Sequence, residues 1–255
     1  MTERLYAADA YLASCDAVVV AVTDDGVVLD RTVFYARGGG QPGDTGTLAW
    51  TGGAVAVADT VSSRETGEVL HRVDGGPPPA GTAVTATIDW ERRHLHMRTH
   101  TALHALSGVV YAGFGAKVTG GNIDTGGVGR MDFELDSMSQ SFGREVEEIL
   151  NTRLAEDRPV HVLVLPRSAA LADPDLIRTK VNLIPPSVDP IRVIDIEGID
   201  KQADGGTHVR STGEVGRVRV VKTESKGRAN KRMRIQVEDP AAQPPSRAPS
   251  STNTA

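Results

Sequence analysis

The residue types best suited to chemistry fall in two separated segments, Arg98-Thr99-His100-Thr101-Ala102-Leu103-His104 and Asp204-Gly205-Gly206-Thr207-His208. Brought to one cavity, they supply three imidazoles and a carboxylate, a suitable shell for a divalent metal ion. Residues four apart on a helix share a face, so His100 and His104 can hold one ion together. His96 and His100 have the same spacing, and spacing alone leaves the register open. Gly205-Gly206 permits a sharp turn, after which Asp204 and His208 can close the shell. Thr101 follows His100 where a zinc-protease motif would have a glutamate as general base, so that motif is excluded.

A second pattern is electrostatic. From Arg217 to Arg234 the chain carries eight basic residues, Arg217, Arg219, Lys222, Lys226, Arg228, Lys231, Arg232 and Arg234, against one acid, Glu224. Alternation with Val218, Val220 and Val221 fits a strand with one basic face, a natural track for phosphates. Arg92, Arg93 and Arg98 extend that track if they project to the same side. The formal net charge of −5 argues against indiscriminate coating of nucleic acid, while leaving room for a local basic face.

These residues need a scaffold, and 255 residues suffice for two domains with proper cores. With 24% charged and 4% aromatic residues, the composition is that of an ordinary soluble protein. The single cysteine, Cys15, leaves no intramolecular disulfide or thiolate-rich zinc cluster and fits a reducing compartment. Met1-Thr2-Glu3-Arg4 has mixed charge and no apolar segment follows it as in a secretory signal, and no apolar run reaches the roughly 20 residues of a spanning helix. The expected location is the cytoplasm.

Residues 16–22 form a β-branched run closed by Asp24-Asp25-Gly26, and Val27-Val28-Leu29 starts the return strand of a hairpin. The glycine-dense segment from Gly38 to Gly46 forbids a helix, and it lacks the lysine of a phosphate-binding P-loop. Further strands are expected at 47–50, 54–60, 68–71 and 83–88, which together suggest a small β-barrel over residues 1–88. Asp74 to Gly81 reads as a surface loop. Asp89 is a good N-cap for a helix from Trp90 to about Phe114, ended by Gly113 and Gly115.

Residues 117–123 read as a loop and 129–135 as a strand. Ser141 is expected to cap a helix from Phe142 to about Glu156 with Val146, Ile149, Leu150 and Leu154 on one face. A strand at 160–165, a short helix at 169–179 and strands at 191–196, 216–222 and 232–237 complete an α+β body over 89–238. Residues 239–255, rich in Pro, Ser, Ala and Thr without a period, read as a disordered tail.

His100-Thr101-Ala102-Leu103-His104, Gly205-Gly206-Thr207-His208-Val209, Ser211-Thr212-Gly213-Glu214-Val215-Gly216, and Phe34-Tyr35 with Gly38-Gly39-Gly40-Gln41-Pro42 together resemble the AlaX family. Its members are freestanding relatives of the editing domain of alanyl-tRNA synthetase. The resemblance runs from about Asp16 to Val237, and the glycine-rich segment is similar to that of the medium-length members, with a barrel before the editing domain.

The resemblance implies a zinc-dependent hydrolase that deacylates mischarged tRNA(Ala), with seryl-tRNA(Ala) as first substrate and glycyl-tRNA(Ala) as second. It selects His100, His104, Asp204 and His208 as ligands of one Zn2+, and Thr119 and Asn122 as polar groups near the substrate, Thr119 reading the seryl hydroxyl. Gly39, Gly40 and Gln41 join the basic run from Arg217 to Arg232 as expected tRNA contacts. Two residues depart from the family pattern. Asp204 stands where a Cys is common, which makes the site harder and zinc preference weaker, and Gly120 stands where the synthetase domain has a Gln. A noncatalytic tRNA-binding module with a structural metal, and a different metallohydrolase on this scaffold, are the alternative readings.

Overall fold

The computed structural model describes residues 2–173, 176, 184–186, 188–227 and 229–238. The expected tail at 239–255, residues 174, 175 and 177–179 of the expected short helix and Arg228 lie outside the described residues.

The chain begins with β1 (Glu3–Arg4) and a one-turn helix α1 (Leu5–Ala8), followed by β2 (Ser14–Thr23), β3 (Gly26–Leu29) and the short β4 (Arg31–Thr32). After the glycine-rich loop come β5 (Gly46–Trp50), β6 (Gly53–Ser62), β7 (Val69–Asp74) and β8 (Ala83–Ile88). Strands β2-β3-β7-β6-β5-β8 close into a barrel, as the spacing of short strands between glycine-rich turns suggested. Alternation explains the closure: in β8 every second residue, Val84, Ala86 and Ile88, points inward, to meet Val19, Val27, Leu29, Leu48 and Val57. Burying each of the valine, leucine and isoleucine side chains among these contributes roughly 1.5–3 kcal/mol.

Asp89 ends the barrel and caps α2 (Trp90–Phe114), its carboxylate accepting from the Arg92 N–H at 3.2 Å. Gly115, in the left-handed region, terminates this helix. Then follow β9 (Val118–Ile123), β10 (Val128–Phe133), α3 (Gln140–Leu154), β11 (Val160–Leu165), α4 (Arg167–Ala172), β12 (Ile191–Ile196), β13 (Asp200–Ala203), β14 (Val218–Ser225) and β15 (Lys231–Val237). They build a four-stranded sheet, β14-β15-β10-β9, and a three-stranded sheet, β11-β12-β13. Helices α2 and α3 pack on the first sheet over Leu103, Leu106, Val146, Leu150, Phe133 and Met233. The whole is a mixed α/β fold.

Several local expectations are corrected. Residues 118–123 are a strand, not a loop: Gly120 and Gly121 weaken strand propensity, but pairing with β10 overrides it. The cap of α3 is Ser139, whose hydroxyl accepts from the Phe142 N–H at 3.0 Å, so the helix starts before Ser141. Ile149 is 39% exposed, because the face toward the core carries Phe142, Val146, Leu150 and Leu154, spaced by four. The two-residue strands β1 and β4 and the polar β13 had no period long enough to be read.

From Arg93 to Val110 helix α2 is buried on nearly every side. A helix so placed shows little amphipathic contrast, and each polar side chain on it needs a partner. Arg93 finds one in Asp44 across the barrel boundary, with its Nε 3.1 and 3.0 Å from the two carboxylate oxygens, and its remaining N–H groups donate to Ala10 O and Val33 O. Arg98 donates to Val215 O and Glu238 O. Neither guanidinium belongs to a basic surface track. Arg92 also turns inward, donating to Gly43 O.

Candidate metal centre and cavity

Helix α2 presents His100 and His104 on one face, and the turn after β13 brings Asp204 and His208 against them. One ligand atom from each of the four residues lies within 4.8 Å of the other three. His96, the alternative by spacing, does not join this group.

What orients the rings is a set of partners at their outer nitrogens. His100 Nδ1 lies 3.0 Å from Gln41 Oε1, His104 Nδ1 3.0 Å from Asp200 Oδ2, and His208 Nδ1 3.1 Å from Thr101 Oγ1. With each Nδ1–H so engaged, all three Nε2 lone pairs are left to converge. Asp204 completes the set, its Oδ2 3.1 Å from His208 Nε2 and its Oδ1 3.7 Å from His100 Nε2. Convergent neutral nitrogens facing a carboxylate, each oriented from behind, fit a divalent cation.

The electrostatics agree. Burial pushes His100 down to about 4 and His208 well below its ordinary value, so both rings are neutral near pH 7. At His104 burial acts the same way, but the hydrogen bond and charge of Asp200 outweigh it and raise the ring's pKa, which makes it a better donor. Burial works against ionisation of Asp204, and the imidazoles of His100 and His208 overcome it, holding the carboxyl well below the usual range.

Two glycines make this packing possible. A Cβ on Gly206 would stand 2.2 Å from His100 Cε1. Gly40 has φ +81° and lies against β9, where a Cβ would meet Gly121 O at 2.8 Å, and its carbonyl accepts from the Ile123 N–H.

The cluster forms part of the wall of a cavity of about 780 Å³. His100, His104 and Asp204 line it together with Gly39, Gly40, Thr119, Asn122 and Arg192, and the apolar side includes Leu103, Val118, Met131, Ile184, Val188 and Ile191. Thr119 Oγ1 donates to Asn230 Oδ1 at 3.3 Å, and the Asn122 amide donates to Asp124 at 2.7 Å.

The expected RNA contacts divide. Gln41 is 1% exposed and fully engaged: its Oε1 also accepts from the Thr207 N–H and its amide donates to Thr207 Oγ1. It braces the cluster from the barrel side, which corrects its reading as an RNA contact. Arg217, Arg219 and Lys222 are exposed on or beside β14, near Glu238 and Glu224, and Lys226 is exposed in the turn that follows. Lys231 is buried with Nζ on Gly227 O, and Arg232 forms a two-pronged pair with Asp132 at 2.6 and 2.8 Å. These two are tied into the sheet rather than presented to a partner.

Sequence reasoning missed Asp200, Thr101 and Arg192. A signal existed for the first, since a ligating histidine needs an acceptor at its other nitrogen and Asp200 precedes Asp204 by four residues. Arg192 was visible only as one of two charges, with Asp195, in the otherwise apolar run Ile191–Ile196.

A barrel joined through a buried histidine-bearing helix to this two-sheet body is the architecture of a tRNA-synthetase-type editing module. The model for tRNA synthetases class II (A) matches residues 10–92, and that for the threonyl and alanyl tRNA synthetase second additional domain matches residues 191–234. The alanyl-tRNA editing protein AlaX-M of Methanosarcina barkeri is 36% identical over 94% of this chain and 100% of its own length. That of Saccharolobus solfataricus is 37% identical over 91% and 98%. The alanine–tRNA ligase of Pyrobaculum arsenaticum is 37% identical over 88% of this chain but only 25% of the ligase. The chain belongs to the AlaX family of alanyl-tRNA editing proteins, in its medium-length form.

Proposed function

We propose that this protein is a metal-dependent trans-editing hydrolase, which cleaves the ester joining a noncognate amino acid to the 3′-terminal ribose of tRNA(Ala). The observation that carries this reading is the convergence of three histidine nitrogens and one carboxylate on a cavity, in a chain alike over its length to alanyl-tRNA editing proteins. The cofactor in this reading is one Zn2+ on His100, His104, Asp204 and His208, which supplies Lewis acidity toward the ester. Seryl-tRNA(Ala) is the first substrate and glycyl-tRNA(Ala) the second.

Asp200, Gln41 and Thr101 keep the three imidazoles in the ligating tautomer. Leu103, Val118 and Met131 exclude water from one side of the substrate. Thr119 offers a hydroxyl for the seryl side chain, and Asn122 adds a polar group on the same strand. Gly39 and Gly40 allow close approach of the tRNA end, while Arg217, Arg219, Lys222 and Lys226 attract its phosphates. Residues 1–88 act as the barrel domain and residues 89–238 as the editing domain, and the reaction takes place in the cytoplasm.

Four protein ligands also suit a closed structural site, and this supports the second reading, a noncatalytic tRNA-binding module. Deacylation of seryl-, glycyl- and alanyl-tRNA(Ala) by wild type and His104→Ala, with metal content measured, separates the two. Expected is hydrolysis of the mischarged tRNAs only, lost together with the metal in the variant. Turnover unchanged after metal loss would sink the hydrolase reading, and equal hydrolysis of alanyl-tRNA(Ala) would sink its editing role.

A further inference from the structure

Strand pairing sets Arg192 beside the metal cluster. The register of β12 on β13 places Val193 opposite Ala203, and one step further the Asp204 N–H donates to Arg192 O at 3.1 Å. The side chain then folds over the same turn: Nη1 donates to Asp204 O at 3.1 Å and Gly206 O at 2.8 Å, and Nε donates to Ala7 O at 3.3 Å. Its bonds to the described residues run through Nε and Nη1, with none from Nη2, and Arg192 lines the cavity with His100, His104 and Asp204. Burial lowers the pKa of this guanidinium, with Asp204 opposing the shift, and arginine remains a cation at neutral pH.

A fixed cation held through Nε and Nη1 beside a low-dielectric cavity, with the N–H groups of Nη2 uncommitted among the described residues, is preorganised to meet developing negative charge. The geometry points to Arg192 as a further catalytic residue, its Nη2 donating to the carbonyl oxygen of the scissile ester. This rests on the hydrolase reading above. In that reaction the oxygen of water bonds to the carbonyl carbon, and negative charge builds on the carbonyl oxygen, where Arg192 stabilises it. The carbon–oxygen bond to the ribose then breaks, the charge returns to the carbonyl, and the ribose oxygen takes the proton that water released. Contact with a backbone phosphate is the competing use of the same cation, but the pairing of Arg192 with Asp204 sets it at the cluster end of the cavity.

The test is steady-state deacylation of seryl-tRNA(Ala) by full-length wild type, Arg192→Lys and Arg192→Ala, with zinc content and Tm measured on each preparation. Expected in Arg192→Ala is a fall in kcat of about 10²–10³-fold with KM and zinc content near wild type, as for loss of one oxyanion donor. Arg192→Lys should retain part of kcat, and methylguanidine should restore part of it to the alanine variant. Wild-type kcat in both variants, a change confined to KM, or loss of zinc in step with kcat in both variants would each overturn the inference. No turnover by wild type would overturn the hydrolase reading and this inference with it. If Arg192→Ala does not fold, the lysine variant alone decides: full kcat at full zinc content overturns the inference.

Discussion

At the scale of single residues, Asp204 sets the donor chemistry of the four-residue cluster that could hold a metal ion. A carboxylate is a harder ligand than a thiolate, so three imidazoles with Asp204 favour hard divalent ions more than three imidazoles with cysteine would. The Asp204→Cys protein is therefore expected to prefer zinc over manganese by a wider margin than wild type, measured by metal competition in equilibrium dialysis. An unchanged ratio would show that the position does not set ion preference. The cluster of four residues was legible because histidine pairs and a glycine-flanked Asp…His are uncommon enough to notice. The residues behind the ligands were not, because Gln41, Thr101 and Asp200 acquire meaning only when the fold brings them to an imidazole nitrogen. Spacing alone could not choose His104 over His96, since both lie one helical turn from His100 and both are buried.

At the scale of elements, the barrel and α2 are joined by a charge pair out of contact with water, Arg93 and Asp44, whose side chains are 0% and 1% exposed. Removing one member leaves the other buried and uncompensated, which costs about 3–5 kcal/mol. Arg93→Met is expected to lower Tm steeply, and Arg93→Met with Asp44→Asn to recover part of it; equal melting of Arg93→Met and wild type would show that the pair does not tie the elements together. Within the barrel, His71 Nδ1 donates to Val27 O and its Nε2 accepts from Thr32 Oγ1, a neutral ring in a dry site. Burial lowers its pKa to about 4. As pH falls below the ordinary value near 6.5, the unfolded chain takes a proton that the folded one refuses. The stabilisation is complete above that value and declines down to about 4, by roughly 3 kcal/mol in total. Denaturant titrations of wild type and His71→Gln between pH 7 and 4 check this, the variant being expected to lose less stability. The barrel strands could be read because short β-branched runs are closed by glycine-rich turns at regular spacing; β9 and β13 escaped because glycine or polar residues break the pattern, and only pairing with neighbours makes them strands.

At the scale of the whole molecule, an acidic chain of net charge −5 carries a cationic edge. Not all of that edge is available to a polyanion. Arg217, Arg219 and Lys222 have side chains 68, 62 and 60% exposed, and their acidic neighbours Glu238 and Glu224 form surface pairs. Such pairs contribute about 0–1 kcal/mol, so phosphates can replace the carboxylates at little cost. Arg232, by contrast, has a side chain 16% exposed and a two-pronged pair with Asp132 that supports the sheet. The two groups should therefore respond differently to salt. Exchanging Arg217, Arg219 and Lys222 together for Gln is expected to flatten the dependence of log Kobs for tRNA on log salt by about two units of slope, since each lost phosphate contact removes roughly 0.7–0.9. Arg232→Gln should leave the slope as in wild type and lower Tm instead. Filter binding across a salt series, with melting curves on the same proteins, measures both. A slope that responds to Arg232 but not to the exposed trio would place the proposed RNA contact on the face of the sheet instead of its edge.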